Sequence, residues 1–359
     1  MGSNYLLTLQ RNYLESLFIM LNKENVIEVL KDVIYFPKGD NIVALNMVEN
    51  LMVKENAIRF DLVMEHANDP KNDILVNGAK RTLTEVFGEG IDIEIKVVEE
   101  KTALSKVKHI IAVASGKGGV GKSTVAANLA IALARANQRV GLIDADIYGP
   151  SVPMMFGLGN EQPSAFEKDG KTVMLPIEKY SIKLMSIGSF VDADRPLIWR
   201  GPMATSALNQ LMNDTLWGEL DWMVVDMPPG TGDIQLTLAQ QYKVSGALIV
   251  TTPQKVAFAD VLRAAMMFKE EALQIPIYGL VENMAYFTPS DMPEKKYYIF
   301  GKESGQQFAD QLGVPLLGQI PITEKIAECG DAGMPLALDA DSPVTKAFDK
   351  IAQEIINTK

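Results

Sequence analysis

Residues 114–124 read ASGKGGVGKST, and this stretch decides the fold of the larger part of the chain. It follows an apolar, β-rich run at 110–114 and opens a run typical of a helix. Glycines at such a turn let backbone N–H groups point inward around an anion, and the helix N-terminus adds a partial positive charge. Lys122 supplies a full charge at the same point. The stretch therefore predicts a phosphate-binding turn between a strand and a helix.

The spacing of the glycines and the lysine is that of a P-loop, in the strand–turn–helix context that a P-loop requires. We expect the loop to bind ATP, with Lys122 neutralising phosphate charge and Ser123 ligating Mg²⁺. Lys117 is a second lysine in a loop that needs only one, so its charge must be placed near the phosphates or across an interface. The predicted nucleotide-binding residues of the loop are Gly116, Lys117, Gly118, Gly119, Val120, Gly121, Lys122, Ser123 and Thr124.

Strand-like and helix-like runs alternate from residue 110 onward. The strands are continuously apolar, which is typical of a mostly parallel sheet covered by helices on both faces. Strands are predicted at 110–115, 139–146, 182–188, 221–228, 246–253, 276–283 and 316–321, and helices at 123–136, 203–216, 233–242, 258–273 and 303–312. The predicted fold class is therefore α/β, with ligands bound at the carboxyl ends of the strands.

The length of 359 residues favours two domains. The order helix, strand, strand, helix, strand is predicted at 26–34, 41–53, 57–65, 74–88 and 91–99. Residues 99–109 are charged and lack a long apolar run, as expected of a linker. We predict a small α+β domain over residues 1–98, a linker over 99–109 and the P-loop domain over 110–359.

Composition restricts the partners and the compartment. With 45 acidic and 34 basic residues the formal net charge is −11, and a field of that sign repels the phosphates of nucleic acid and anionic lipid. We therefore expect neither nucleic acid nor a membrane as a partner. The one cysteine, Cys329, excludes an intramolecular disulfide and a Cys-rich zinc site, which indicates a reducing cytoplasm.

Carboxylates follow two of the predicted strands. Asp226 ends an apolar strand, where a carboxylate would bind Mg²⁺, and Asp146 ends another, where it would orient the attacking water with help from Asp144. Turn chemistry or helix capping is the alternative role of Asp144 and Asp146. Gly230 and Asp233 lie in a loop suited to sensing the γ-phosphate, because glycine permits a peptide flip. For Asp233, an N-cap is an equal alternative.

The P-loop with the extra lysine, KGGVGKST, resembles the deviant Walker A motif of a family of ATPases. That family includes the nitrogenase iron protein, MinD, ParA and the Mrp/ApbC iron–sulfur cluster carriers. Further stretches are similar to the Mrp/ApbC branch, and the resemblance covers essentially residues 108–357. These stretches are residues 142–153, 224–233, 251–260, 282–287 and 318–336.

The resemblance implies a Mg²⁺-dependent ATP hydrolase that works slowly as a nucleotide-bridged homodimer. It implies that Lys117 reaches the nucleotide of the opposite subunit, beside the catalytic residues Lys122, Asp146 and Asp144. Asn283 is similar to the family's adenine-contacting asparagine, and the segment that follows Ile320 and Pro321 would pack on the other side of the base. The expected partners are apo iron–sulfur client proteins or assembly factors in the cytoplasm.

Residues 26–98 resemble the small α+β domain that many Mrp proteins carry, most clearly at 41–53, NIVALNMVENLMV. That domain commonly has an Asp-Pro-Glu step and a cysteine–proline turn, whose nearest counterparts here are residues 35–38 and 66–70. The counterparts carry no thiol, so no metal role is transferred to this domain. The two histidines, His66 and His109, are isolated in sequence and are read as structural residues.

In Mrp/ApbC proteins the stretch after ENM-YF usually bears Cys-x-x-Cys, whose cysteines hold a [4Fe–4S] cluster across the dimer. This chain has Pro-Ser-Asp-Met at 289–292, and neither proline nor methionine supplies the thiolate that a cluster needs. Cys329 is expected to be a small buried hydrophobe near the end of a helix capped by Gly330. The resemblance thus makes a [4Fe–4S] cluster possible while its usual ligands are absent.

Two functions remain open at this point. The first is an ATP-dependent iron–sulfur cluster carrier or assembly factor that holds its cluster unconventionally, transiently or through a client. The second is a nucleotide-switched interaction protein of the MinD/ParA type without a cluster, whose membrane form needs a basic amphipathic C-terminal helix. The C-terminal stripe of Phe348, Ile351, Ala352 and Ile355 adjoins acidic residues, so we expect it to pack on the domain.

Overall fold

The computed structural model describes residues 20–64, 67–99, 102–159, 161–168, 170–190, 201–289, 291–292, 294–302 and 304–358. The chain divides into two compact units, Met1–Lys101 and Thr102–Lys359.

The first unit has an α+β arrangement. Over residues 20–64 and 67–99, its helices are α1 (Lys23–Leu30) and α2 (Asn72–Phe87), and its strands are β1 (Ile34–Tyr35), β2 (Asp40–Asn41), β3 (Val48–Lys54), β4 (Ala57–Met64) and β5 (Asp92–Glu99). Strand β4 lies between antiparallel β3 and parallel β5. Alternate residues of β4, from Ile58 to Met64, are buried against the two helices, as period-two patterning requires.

The predicted strand at 41–53 starts later than expected, at Val48. The side-chain oxygen of Asn41 accepts hydrogen bonds from the N–H groups of Val43 and Ala44, at 3.1 and 2.8 Å. Asn46 then takes a left-handed conformation with φ of 53°. Short polar side chains that bond to the backbone favour turns over strands, so the first part of this apolar line is a turn.

The second unit is built on a mostly parallel sheet. Among the described residues its strands are β6 (Val107–Ser115), β7 (Val140–Asp144), β8 (Ala165–Lys168), β9 (Lys171–Met174), β10 (Ile177–Lys179), β11 (Ile182–Ser186), β12 (Leu220–Asp226), β13 (Gly246–Thr251), β14 (Ile277–Glu282) and β15 (Leu316–Gln319). Eight of these form one sheet in the order β10-β11-β7-β12-β6-β13-β14-β15. Only the pairing of β10 with β11 is antiparallel, so the predicted parallel sheet is confirmed.

Helices cover both faces of this sheet. They are α3 (Lys122–Arg135), α4 (Val152–Met155), α5 (Gly201–Asn213), α6 (Asp233–Gln241), α7 (Lys255–Lys269), α8 (Ser304–Leu312), α9 (Glu324–Asp331) and α10 (Pro343–Asn357). Along β6, Ile111 and Val113 join the core under α3 and α10, while Ile110 and Ala112 join the core under α5 to α8. Both faces of each central strand are buried, which explains the unbroken apolar runs.

Four of the strands and α-helices described in the second unit were not predicted: β8, β9, β10 and α4. The hairpin of β8 and β9 is mostly exposed, and the sequence there offers no alternation that indicates strands. The short helix α4 follows the turn after β7. Strand β6 starts at Val107, inside the range predicted as a linker.

The C-terminal stripe packs as expected. Phe348, Ile351, Ala352 and Ile355 are buried against the core that includes α3. Helix α10 begins with Pro343 at its first position, and the side chain of Ser342 accepts a hydrogen bond from the N–H of Val344. No helix among the described residues is long and apolar enough to cross a membrane.

We predict that Phe348→Ala lowers the free energy of unfolding by about 3 to 5 kcal/mol, because the truncation leaves a cavity in a closed core. Urea unfolding of the full chain, followed by circular dichroism, measures the change. Gln353→Ala, on the exposed face of the same helix, is the matched control and should stay within about 0.5 kcal/mol of wild type. Equal stability of the two variants would show that α10 does not close this core.

Candidate functional site

The site lies at the carboxyl edge of the parallel sheet. Strands β6, β7 and β12 are neighbours there, and their last residues are Ser115, Asp144 and Asp226. Asp226 is in register with Asp144 on one side and with Val113 on the other. The P-loop that follows β6 therefore meets the carboxylates that follow its neighbours, as the sequence predicted for this edge.

The loop between β6 and α3 requires its glycines. Gly119 and Gly121 have φ of 81° and 79°, in the left-handed region that favours glycine. A Cβ at Gly116 would collide with the backbone of Asp260 in α7, and a Cβ at Gly121 would collide with the amide of Asn283. The backbone of this loop is thus closely packed from two sides.

Lys122, the first residue of α3, connects the loop to the strand ends. Its Nζ lies 2.6 Å from Oδ1 of Asp226 and 3.4 Å from Oδ2 of Asp146. It also donates to the hydroxyl of Ser123 at 3.2 Å. Only 5% of the lysine is exposed. The two carboxylates thus pair with an ammonium group that is almost completely removed from solvent.

Asp226 has the features of a cation ligand. It is fully buried, and its Oδ2 has no hydrogen-bond partner among the described residues. Burial raises the pKa of its carboxyl group, while Lys122 and the Ser123 hydroxyl oppose that shift. Mg²⁺ prefers carboxylate and hydroxyl oxygens, so an unpaired buried carboxylate oxygen beside a serine hydroxyl fits this ion.

Asp144 organises the turn after β7. Its buried carboxylate accepts hydrogen bonds from the N–H groups of Asp146 and Val152, both at 3.2 Å, and from the hydroxyl of Ser186 at 3.0 Å. Burial, followed by the charge of Asp226, raises its pKa from 3.8 to about 7. The geometry matches the turn role that was one alternative for Asp144. Ser186 was not predicted from the sequence. Its place at the end of the neighbouring strand β11, opposite Asp144, is the signal that could have indicated it.

Asp146 stands closer to the solvent than Asp144. It is 8% exposed, and its Oδ1 accepts a hydrogen bond from the N–H of Tyr148 at 3.3 Å. Its Oδ2 is the oxygen that faces Lys122. This carboxylate thus lies beside the P-loop lysine at the rim of the strand ends.

The remaining predicted contacts lie around the loop. Gly230 has φ of 93°, and its N–H donates to the carbonyl of Ser115 at 2.9 Å. Asn283 follows β14, and its Nδ2 donates to the carbonyl of Val120 at 2.9 Å. Pro321 is buried beyond the end of β15. The structure brings Gly230 and Asn283 into direct contact with the P-loop segment.

Lys117 lies at the apex of the loop. The hydroxyl of Ser115 donates to its carbonyl at 2.9 Å. The following residues, Gly118 and Gly119, are exposed, while Lys117 itself is half-buried. This part of the loop is therefore more accessible to solvent than Lys122. The histidine His66 and the side chain of Asp233 lie outside what the structure describes, whereas the ring of His109 packs on Trp222 at 4.7 Å.

The missing cysteine pair raises the question of other metal ligands. Among the described residues, no group of three or more His, Cys, Asp or Glu side chains could hold a metal ion. Cys329 is half-buried in α9 and packs against the core that includes α3. The expected cap at Gly330 was wrong: α9 continues to Asp331, and Gly333 is the residue with a positive φ, 70°.

We predict that Asp144 makes stability depend on pH. The native carboxyl keeps its proton up to pH about 7 and the unfolded one releases it near its ordinary pKa of 3.8. The free energy of unfolding should therefore fall as pH rises from about 4 to about 7, by at most about 1.4 kcal/mol per pH unit from this group. Asp144→Asn should lack this fall.

Urea unfolding at several pH values tests the effect. Asp341→Asn, at an exposed aspartate, is the matched control and should keep the wild-type pH slope. Parallel pH profiles for wild type and Asp144→Asn would contradict the assigned cause.

Comparison with known proteins identifies the family. Residues 106–356 match a family model described as NUBPL iron-transfer P-loop NTPase, and residues 23–97 match one described as iron-sulfur cluster assembly protein. An iron-sulfur cluster carrier protein of Aquifex aeolicus is 54% identical over 250 residues, which are 69% of this chain and 67% of that protein. A protein of the same description from Synechocystis is 39% identical over 345 residues, 94% of this chain and 97% of its own length.

Among solved structures, a nucleotide-binding protein from Archaeoglobus fulgidus in complex with ADP is 33% identical with a TM-score of 0.58. It covers 68% of this chain, which in turn covers 94% of it. The resemblance inferred from the P-loop and the later stretches is confirmed. The chain belongs to the family of NUBPL-type iron-transfer P-loop NTPases, with an iron–sulfur cluster assembly domain at residues 23–97.

Proposed function

We propose that this protein is an ATP-hydrolysing iron–sulfur cluster carrier of the Mrp type, acting in the cytoplasm as a nucleotide-bridged homodimer. The observation that carries the proposal is the buried junction of Lys122 with Asp226 and Asp146 beneath the P-loop. Similarity to iron-sulfur cluster carrier proteins over 94% of the chain supports the cargo.

The P-loop residues 116–124 bind the phosphates through backbone N–H groups and through Lys122. Asp226 and Ser123 would hold Mg²⁺, which neutralises charge on the β- and γ-phosphates when it is bound. Asp146 orients the attacking water, and Asp144 positions Asp146 through the hydrogen bond to its N–H group. The rate enhancement comes from placement and charge neutralisation, since phosphoryl transfer needs little covalent help.

The adenine base lies beside Asn283 and the segment after Pro321. The amide of Asn283 has donor and acceptor groups for a base edge, and one of its N–H groups is used on Val120. That bond ties the base site to the phosphate loop. The backbone N–H of Gly230 binds the γ-phosphate after a peptide flip, and this residue thereby senses whether that phosphate is present.

Lys117 acts in trans. Its half-buried position next to two exposed glycines of the loop suits a lysine that reaches a second subunit. Association then completes each site by a cation that neutralises charge in the transition state. Hydrolysis is gated by dimerisation for this reason.

We predict that Lys122→Ala abolishes ATP hydrolysis and weakens binding of ATP, because the cation beneath the phosphates is lost. Lys117→Ala should lower the rate by about a thousandfold while changing nucleotide affinity far less, as expected of a cation supplied in trans. Phosphate release and calorimetric titration measure the two quantities.

Lys346→Ala, at an exposed lysine of α10, is the control for loss of one charge. Undiminished turnover in Lys122→Ala would refute the site. Equal losses of rate and affinity in Lys117→Ala would argue against a role in trans.

An iron–sulfur cluster on this protein requires ligands other than the usual Cys-x-x-Cys pair. One cysteine per chain gives a homodimer at most two thiolates, whereas a [4Fe–4S] cluster commonly takes four. We infer that the cluster is held transiently, with thiolates of the client completing its coordination. Cys329 is the one thiol that the chain contributes.

We predict that the protein delivers a cluster to a small apo [4Fe–4S] acceptor after anaerobic reconstitution with iron and sulfide. Iron per dimer and transfer rate are measured for wild type and Cys329→Ser, and the variant should retain less iron and transfer more slowly. Ser304→Ala, which leaves the thiol in place, is the control.

Absence of iron, absence of transfer and no maturation defect on loss of the gene would together refute a carrier. That outcome would favour the nucleotide-switched interaction protein of the MinD/ParA type.

A further inference from the structure

The turn between β12 and α6 has unusual backbone chemistry. It reads Met-Pro-Pro-Gly-Thr-Gly at 227–232 and follows the cation ligand Asp226 directly. Pro228 and Pro229 have no N–H group, so their carbonyls are the hydrogen-bonding groups that this part of the backbone offers. A buried carbonyl without a partner is costly, and the structure provides one from α6.

Gln235, on the first turn of α6, binds both carbonyls. Its Nε2 donates to Pro228 O at 3.2 Å and to Pro229 O at 2.8 Å. The side chain belongs to a residue that is only 4% exposed. A primary amide has two N–H donors, and both are directed at the turn. We call this pair of hydrogen bonds from Gln235 to the carbonyls of Pro228 and Pro229 the clamp.

The peptide unit between Pro229 and Gly230 is held at both ends. Its carbonyl accepts from Gln235, and its N–H donates to the carbonyl of Ser115 at 2.9 Å. A trans peptide is planar, so its C=O and N–H point in opposite directions and rotate together. Turning this N–H toward a nucleotide must break both hydrogen bonds at once.

Beyond this peptide the turn is less restrained. Thr231 and Gly232 are exposed, and Gly232 begins α6 without a side-chain cap. Gly230 has φ of 93°, which few other residues adopt readily. A flip of the peptide between Pro229 and Gly230 would therefore move the carbonyl of Pro229 together with residues 230–232, which lie nearer the solvent than the buried residues 227–228.

We propose that Gln235 is a positioning residue that sets the discrimination between ATP and ADP. It stabilises the orientation in which the Gly230 N–H faces Ser115. Only a nucleotide with a γ-phosphate offers the flipped N–H a hydrogen bond that offsets the free energy of the flip. This inference rests on the proposed ATP site. If ATP binds only to molecules with the flipped peptide, its apparent affinity is reduced in proportion to the fraction of molecules in that state. The affinity for ADP, which does not need the flip, is unaffected.

The test uses Gln235→Met, which keeps the shape of the side chain and removes its donors. Gln240→Met, on the exposed side of α6, is the matched control. Calorimetry measures the Kd of ADP and of a non-hydrolysable ATP analogue, each with Mg²⁺, on the full chain. We expect the analogue to bind about tenfold tighter to Gln235→Met, from loss of a net hydrogen-bond energy, and ADP to bind as to wild type.

Amide exchange of the nucleotide-free protein supplies a readout that does not depend on nucleotide. Gly230 and Thr231 carry the only amide hydrogens in residues 228–231, and they should exchange faster in Gln235→Met than in wild type. Unchanged exchange, or equal shifts for ADP and the analogue, would overturn the proposal.

Gln235→Glu covers the case in which the methionine variant does not fold. A carboxylate cannot donate, whereas a protonated carboxyl donates one hydrogen bond. Asp144, whose pKa is raised to about 7, titrates in the same pH range, so the variant is compared with wild type at each pH. The ratio of their analogue affinities should approach one as pH falls from about 8 to about 6, since burial raises the pKa of a carboxyl. No such return would contradict the clamp. A wild-type protein that binds neither nucleotide would instead refute the ATP site itself.

Discussion

One ammonium group, that of Lys122, holds three distant parts of the chain together. It pairs with Asp226 at the end of β12 and with Asp146 after β7, and it starts the helix that follows the P-loop. A carboxylate as deeply buried as Asp226 costs several kcal/mol unless it is paired. The lysine offsets part of that cost where the strand ends bring these acids together, so it contributes to the assembly of the site as well as to its chemistry.

The acids still outnumber the cation. Asp226 and Asp146 oppose one ammonium, and Asp144, fully buried beside them, accepts three hydrogen bonds. The pKa of Asp144 rises to about 7 in part because Asp226 is close. Excess negative charge and an unpaired oxygen on Asp226 favour a divalent cation at the same place. The electrostatics that make this cluster of acids costly to bury are the ones that favour a metal and phosphates beside it.

The sequence predicted two kinds of feature. Unbroken apolar runs, which recur along the chain, predicted the parallel sheet, and the glycine spacing at 116–121, a single local motif, predicted the loop between β6 and α3. It did not predict the exposed hairpin of β8 and β9, or where Gly330 lies in α9. Nor could it single out Gln235. Helix α6 contains Gln235, Gln240 and Gln241, which look alike in sequence, and only the helical phase against the proline turn decides which one is buried.

The loop after Asn283 shows why nucleotide chemistry alone cannot decide between the two candidate functions. Phe287 and Tyr297 exchange backbone hydrogen bonds at 2.8 and 2.9 Å, and Lys296 lies 4.2 Å from the ring centre of Tyr286. Backbone pairing and a cation–π contact thus hold the described part of this loop. In a relative with Cys-x-x-Cys, thiolates and metal would order the same loop. Since a cluster carrier and a nucleotide switch both need the Lys122 site, the distinction rests on thiolate supply. Iron content and transfer therefore separate the two, and ATP turnover does not.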